Sequence, residues 1–369
     1  MDKQTIVFAG GGTGGHLFPA VAMAEALQEL EPELVSVFIG TANKLESRIV
    51  PSLGYPFHTV WISGLQRRLT LSNLLFPLKV LVSLIQSWSL LRRLSPAVVV
   101  GTGGYVCGPV LFAASRMGIP TLMQEQNSYP GMTTRLLARF VAETHVAFDE
   151  TKRHLPPECV VVTSGTPVRL HVERVEGATA KTHFGFTPQS LVVLVLGGSL
   201  GSASINRAVE SIIERVEDER VCFIWQTGEK DFERFREWET KMSPRTKVFP
   251  FIADMGEAYA AADIVICRAG ATSLAELTAA GLPAILVPYP YATARHQHRN
   301  ASVLVAAGAA EMIEDDDLDQ LYGVLQRLLT DEERRRLMAR NAKGLGHPDA
   351  ARNLARRILQ FAHHTGAPA

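Results

Sequence analysis

The 78 residues between Glu46 and Glu125 (positions 47–124) contain no acidic side chain, although aspartate and glutamate number 37 in the whole chain, against 37 lysines and arginines. The zero sum excludes the bulk cationic character of a nucleic-acid binder, so no nucleic acid is expected as a partner. The acid-free stretch itself carries Arg48, Arg67, Arg68, Lys79, Arg92, Arg93 and Arg116. One-sided charge of this kind suits an anionic partner, such as a phosphorylated substrate or a membrane surface; a buried core with a few solvated cations accounts for it as well.

Cysteine is scarce and scattered. Cys107, Cys159, Cys222 and Cys267 form no CxxC pair and no metal spacing, which argues against a disulfide framework and leaves reduced core thiols. No structural metal and no cofactor is expected. Asp315-Asp316-Asp317 contains an Asp-x-Asp, but it precedes a helix start, where acids favour the dipole. Met1-Asp2-Lys3-Gln4 runs directly into an apolar strand, without a signal-peptide pattern. A long uninterrupted hydrophobic run is also missing. The nearest candidate, Leu69 to Leu91, is broken by Lys79, Pro77, Asn73 and several serines, whereas a spanning helix needs about 20 mostly apolar residues. It reads better as an interfacial helix. Leu74, Leu75, Phe76, Leu78, Leu81, Leu84, Ile85 and Trp88 supply the apolar surface, and Arg67, Arg68, Lys79, Arg92 and Arg93 its edges. A core helix with an ordinary loop is the plain alternative.

What is present is a repeated strand–turn–helix rhythm. Apolar strands are predicted at Thr5 to Ala9, Leu34 to Ile39, Pro96 to Val100 and Ile119 to Met123, with a helix over Pro19 to Leu30. The pattern restarts at Leu191 to Leu196, with later strands at Val221 to Trp225, Thr246 to Phe249, Ile264 to Cys267 and Ala284 to Val287. Nearly all-apolar strands alternating with helices imply α/β architecture with parallel sheets covered on both faces, here as two doubly wound units. Two helices close the chain, separated by Gly346-His347-Pro348.

Four glycine-rich turns follow strands: Gly10 to Gly15, Gly103-Gly104-Tyr105, Gly197-Gly198-Ser199 and Arg268 to Ser273. Such turns let a backbone approach a ligand, and a helix start offers free N–H groups to an anion. Gly10, Gly12 and Gly15 fit GxGxxG, yet a dinucleotide site also needs an acid at the end of the second strand, and that strand ends Ile39-Gly40-Thr41. The missing ribose acid argues against an NAD-dependent oxidoreductase. Four turns across two units favour phosphate-bearing ligands.

Gly11-Gly12-Thr13-Gly14-Gly15-His16-Leu17-Phe18-Pro19-Ala20 resembles the N-terminal signature of the MurG family, the peptidoglycan N-acetylglucosaminyltransferases that convert lipid I to lipid II. The similarity continues through Gly103-Gly104-Tyr105, Gln124-Glu125-Gln126-Asn127, Thr166-Pro167-Val168-Arg169, Gly197-Gly198-Ser199, Phe251 to Met255, Arg268 to Glu276, His296-Gln297 and Asn300-Ala301.

The resemblance implies a glycosyltransferase B fold, two Rossmann-like doubly wound domains with a cleft between them. Residues 1–165 would bind acceptor and membrane, 166–345 would bind UDP-GlcNAc, and 346–369 would form a helix packing back on the N-terminal domain. It further implies inverting transfer at the cytoplasmic face of the bacterial plasma membrane, by a peripheral enzyme. The implied partners are UDP-N-acetylglucosamine, lipid I and an anionic membrane surface, with cell-wall and division proteins as further candidates.

Carried over by motif, His16 is the candidate catalytic residue, beside Thr13, Gly14 and Gly15, with Gly103, Gly104 and Tyr105 on the acceptor. The backbone of Ile252 would meet the uracil, with Arg169 near the nucleotide. Glu276 would hold the ribose diol, since a carboxylate accepts two hydrogen bonds. Ser199 and the segment Gly270, Ala271, Thr272, Ser273, Leu274 and Ala275 would meet the donor and its diphosphate, with Arg268 close by. Gln297 and Asn127 would fix sugar hydroxyls. Leu75, Phe76, Lys79 and Trp88 would face the membrane. Leu200 and Ser202 stand where the family commonly has Gln and Ala, Thr166 where it has Asn, and Gln124 where it has His.

A neutral imidazole, with an ordinary pKa of about 6.5, suits removal of a hydroxyl proton. Binding the acceptor diphosphate is the other role open to His16. Rival readings are a glycolipid synthase of the same fold with another lipid acceptor, a UDP-GlcNAc 2-epimerase, and a non-catalytic nucleotide-sugar binding module.

Overall fold

The computed structural model describes residues 4–64, 75–169, 176–198 and 201–365. Arg67, Arg68, Leu74, Ser199 and Leu200 lie outside the described residues. The chain forms two compact units, Met1–Arg169 with Asp349–Ala369, and Leu170–Pro348. These divisions fall a few residues beyond the predicted ones at 165 and 345.

In the first unit β1 (Thr5–Ala9), α1 (Gly14–Leu30), β2 (Val35–Gly40), α2 (Glu46–Ser52), β3 (Phe57–Thr59), α3 (Phe76–Leu94), β4 (Val98–Gly101), α4 (Cys107–Arg116), β5 (Thr121–Glu125), α5 (Met132–Leu137), β6 (Glu143–Val146) and β7 (Val161–Thr163) follow in order. The sheet is parallel throughout, in the order β3-β2-β1-β4-β5-β6-β7. β1 pairs with β2 on one side and β4 on the other, so the strand order reverses there, where open α/β sheets bind ligands. The side chains of β1 from Ile6 to Ala9 are fully buried, as a strand covered on both faces requires.

Helix α1 starts at Gly14, not at Pro19 as the pattern predicts, and carries Pro19 inside it. Proline lacks the N–H that would bond back to Gly15, which is why the sequence reads as a start there. On that face α1 packs against the C-terminal helix Ala350–Thr365 through Leu17, Val21, Ala24 and Leu27 against Leu354, Ala355, Ile358 and Ala362. Arg357 of that helix makes a two-pronged ion pair with Glu143 of β6.

The opposite face is covered by α3, α4 and α5. Helix α3 is inverted relative to an ordinary surface helix. Ser83, Ser87 and Leu91 are buried on the side that packs against α4, while Leu78, Leu81, Ile85 and Trp88 are 39–62% exposed. The serine hydroxyls are satisfied within the helix, on Val80 O at 2.9 Å and Ser83 O at 2.7 Å.

The second unit repeats the plan with β8 (Leu191–Leu196), β9 (Val221–Gln226), β10 (Thr246–Phe249), β11 (Ile264–Cys267), β12 (Ala284–Leu286) and β13 (Ala310–Met312) in the parallel order β10-β9-β8-β11-β12-β13. Its switch point lies between β8 and β11, which places the loops starting at Gly197 and Arg268 side by side.

Candidate active site

In the first unit the turns after β1 and β4 meet around one imidazole. Nδ1 of His16 lies 3.2 Å from the carbonyl oxygen of Gly11 and 3.2 Å from Oγ1 of Thr13. A carbonyl only accepts, so this pairing puts a ring proton on Nδ1, and in the neutral ring Nε2 is then the acceptor nitrogen. Gly103 closes on the other edge. Its φ is +105°, and a Cβ there would stand 2.6 Å from Cδ2 and 3.0 Å from Nε2 of His16. Thr13 begins α1 in extended conformation without capping it, its hydroxyl being turned to the ring. Cys107 holds the Gly103 turn from beneath. Its thiol bonds the Ala9 carbonyl at 3.0 Å and receives the Gly103 N–H at 3.1 Å, and burial pushes it up to about 12, so it is an anchor and not a nucleophile.

Sequence reasoning missed the acid of this loop. It sought one at the end of β2, and the structure supplies it from the first turn of α2. Glu46, 1% exposed, accepts from Gly12 N at 2.9 Å, Thr41 N at 3.1 Å and Thr41 Oγ1 at 2.8 Å. The Tyr105 hydroxyl bonds Thr41 in turn, and burial raises its pKa. Glu125, also missed, accepts four bonds, from Asn127 N and Nδ2, Gly131 N and Thr134 Oγ1, and so fixes Asn127. Arg169 closes this unit as a two-pronged partner of Glu25 on α1, at 2.6 and 2.9 Å. A nucleotide contact would require it to exchange that partner.

In the second unit Glu276 sits in the helix Ala271–Ala280 and accepts a hydrogen bond from the Tyr259 hydroxyl at 2.9 Å. Burial pushes its carboxyl up to about 7, and the bond from Tyr259 works against that rise. Gly270 begins the helix with no side-chain cap, and among the described residues no side chain accepts from the N–H groups of its first turn. Thr272 in that turn has a buried hydroxyl with no hydrogen-bond partner among the described residues. An oxygen-rich ligand is what such a turn lacks.

Three expected contacts come with internal partners. The Ile252 N–H donates to Oε1 of Gln226 at 2.8 Å, and Nε2 of Gln226 reaches the Gly198 carbonyl at 3.2 Å. Arg268 is built into the wall: Nη1 bonds Asp315 at 2.6 Å and two backbone carbonyls, and Nη2 bonds the Ser202 and Ser204 hydroxyls at 2.7 and 2.8 Å. Asp315, in the first turn of the short helix Asp315–Gln320, is ion-paired to Arg268 as well as placed at a helix start. Ser202, read as a departure from the family, caps the helix Ala203–Ile213 and anchors Arg268. Gln297 accepts from Tyr289 N at 2.8 Å.

Twin Rossmann sheets, each with glycine turns at its switch point, one around an imidazole and one beside a carboxylate and an uncapped helix, define a nucleotide-sugar glycosyltransferase. The chain belongs to glycosyltransferase family 28, whose N-terminal domain matches residues 6–146 and C-terminal domain residues 192–354, and within it to the MurG family. It is 46% identical over 359 residues, 97% of this chain and 96% of the other, to the UDP-N-acetylglucosamine–N-acetylmuramyl-(pentapeptide) pyrophosphoryl-undecaprenol N-acetylglucosamine transferase of Salinibacter ruber. The crystal structure of Acinetobacter baumannii MurG superposes with a TM-score of 0.77 at 29% identity, covering 97% of this chain and 99% of that one. A UDP-N-acetylglucosamine 2-epimerase, at 17% identity and TM-score 0.62 over 99% of this chain and 97% of that one, shares the fold.

Proposed function

We propose that the chain transfers N-acetylglucosamine from UDP-GlcNAc to the 4-hydroxyl of the muramyl sugar of undecaprenyl-pyrophosphoryl-MurNAc-pentapeptide, with inversion at the anomeric carbon. The second unit takes the donor and the first takes the acceptor. The acceptor hydroxyl attacks C1, its proton passes to Nε2 of His16, and UDP leaves with the bonding electron pair. The observation that carries this reading is the Gly11 carbonyl on Nδ1, which leaves Nε2 as the basic nitrogen. Glu276 holds the ribose, and the first-turn N–H groups and Thr272 hydroxyl of the Gly270 helix receive the diphosphate charge. Ile252, Gln297, Asn127, Arg169 and Ser199 are assigned to the donor by motif, and Gly103, Gly104 and Tyr105 to the acceptor.

The chain works attached to the cytoplasmic face of the plasma membrane. No helix among the described residues is long and apolar enough to cross a membrane. The outward leucines of α3, with Leu75, Trp61 and the exposed Phe112, Met132, Leu136 and Phe140 around α4 and α5, supply an apolar surface, and Arg92 and Arg93 a basic edge. Phe76 is only half-buried, and Lys79 bonds Ser63 at 2.9 Å beside the Trp61 ring.

Incubation of the chain with UDP-GlcNAc and lipid I tests the reaction. UDP release with formation of the disaccharide lipid supports it. UDP release on diacylglycerol but not on lipid I would replace it with glycolipid synthesis.

A further inference from the structure

The hydrogen bonds of Glu46 and His16 converge on one peptide group. The N–H that Glu46 accepts at 2.9 Å belongs to Gly12, and the carbonyl beside Nδ1 of His16 at 3.2 Å belongs to Gly11. These are the two ends of the same planar amide, whose N–H and C=O point in opposite directions. A carboxylate on the N–H draws the amide proton and pushes electron density toward the oxygen, which makes that carbonyl a stronger acceptor.

We propose that Glu46 is a positioning residue for His16, acting through the Gly11–Gly12 peptide so that the ring is held with its proton on Nδ1. A direct Asp–His pair does the same work in hydrolytic triads. Here a single peptide stands between acid and imidazole.

Three features make the arrangement built and not incidental. Glu46 is buried with all three of its donors in place, so its carboxylate cannot swing away without leaving them unpaired. The loop leaves room for it only because residue 11 is glycine, since a Cβ there would stand 2.5 Å from the carboxylate, and Gly40 spares its Cγ in the same way. The far side of the peptide is equally constrained, with a Cβ on Gly104 falling 2.6 Å from the Gly11 oxygen. The peptide plane is therefore gripped from both ends.

The inference rests on the catalytic reading of His16 only for its effect on turnover, and the ring's proton position can be read without it. The full chain labelled with ¹⁵N in its histidine rings should show His16 with Nδ1 protonated and Nε2 unprotonated in its long-range ¹H–¹⁵N spectrum. The opposite tautomer in the wild-type chain overturns the proposal with no variant needed. Glu46→Gln can offer only one acceptor oxygen to three donors, and should shift His16 to a mixture of tautomers. It should lower kcat about tenfold with the donor KM unchanged. Thr41→Val removes a buried bond of Glu46 but spares the Gly12 arm, so it should lower the melting temperature while leaving the His16 ring signals in place. If both variants disturb the ring alike, or neither does, Glu46 is only a loop brace and the proposal fails. If Glu46→Gln shifts the tautomer while His16→Ala turns over normally, the positioning role stands and the base assignment falls.

Discussion

The hydroxyl of Tyr259 donates to Oε2 of Glu276 at 2.9 Å, from a tyrosine that is 1% exposed. The bond fixes the carboxyl proposed to take the ribose diol, and its titration gives a pH test. With the Glu276 pKa raised from 4.5 to about 7, the folded chain holds a proton that the unfolded chain has lost. Its contribution to stability therefore falls as pH rises between those values. Donor binding runs the other way, because the ionised carboxylate accepts both diol hydrogens. The donor KM should drop roughly threefold to tenfold between pH 6 and pH 8. Glu276→Gln should flatten that dependence, and Tyr259→Phe should move its midpoint to higher pH. Initial rates against UDP-GlcNAc across this range check it, and a pH-independent KM in the wild-type chain contradicts it.

Arg268 and Asp315 offer a coupling test. Their side chains are 11% and 17% exposed, and either single substitution strands the other charge. Arg268→Met or Asp315→Asn alone should cost about 3 kcal/mol. The double variant should cost less than the sum, because no charge is then left unpaired. Urea melts of the four chains measure this, and additive losses would dismiss the coupling. The singles should also raise the donor KM, since Arg268 ties down Ser202 of the neighbouring loop.

The central strands of both sheets were legible in the sequence because strands covered on both faces are mostly apolar, as at Thr5–Ala9 and Leu191–Leu196, whereas β3, β6, β7 and β13 were not, being short or, as in β6, carrying the buried polar side chains of Glu143 and His145. Glycine turns marked the switch points for the same local reason. What escaped was set by tertiary contact. Glu46 meets Gly12 across 34 positions and Arg268 meets Asp315 across 47, and no periodicity links such pairs. Pro19 misled the start of α1 because propensity speaks of the helix interior and not of what the surrounding fold will tolerate. The partners of Ile252 and Arg169 were equally hidden, since a motif names a ligand contact but not what occupies the group without the ligand.

The first unit should lose stability in acid. Glu143 is held below the ordinary carboxylate range first by its bond from Arg357, and burial pushes the neighbouring His145 below 6.5. Both shifts have the same sign. Stability is fully present above about pH 6.5, begins to fall as the unfolded chain's His145 charges, and falls further once pH drops through the Glu143 pKa. Arg357 is 41% exposed, so the ion pair itself contributes little, and the buried imidazole should dominate near pH 6. Melting temperatures from pH 8 to pH 4 should decline in the wild-type chain, and His145→Gln should remove the upper part of the slope. An unchanged upper slope would assign it to another group.

The inverted helix α3 separates folding from membrane attachment. Leu81 and Ile85 are 56% and 62% exposed, so replacing either with glutamate removes no core contact and should change stability by less than about 0.5 kcal/mol. Inserted at a lipid surface, each such side chain is worth about 1.5–3 kcal/mol, so either substitution should weaken binding to anionic vesicles about tenfold or more. Leu91→Ala, on the buried face, should do the reverse: a loss of about 2–5 kcal/mol of stability with little change in vesicle affinity of the folded chain. Flotation with and without anionic lipid, paired with thermal melts, reads both quantities. Vesicle binding untouched by Leu81→Glu and Ile85→Glu together would mean that α3 turns its leucines outward for a purpose other than the membrane.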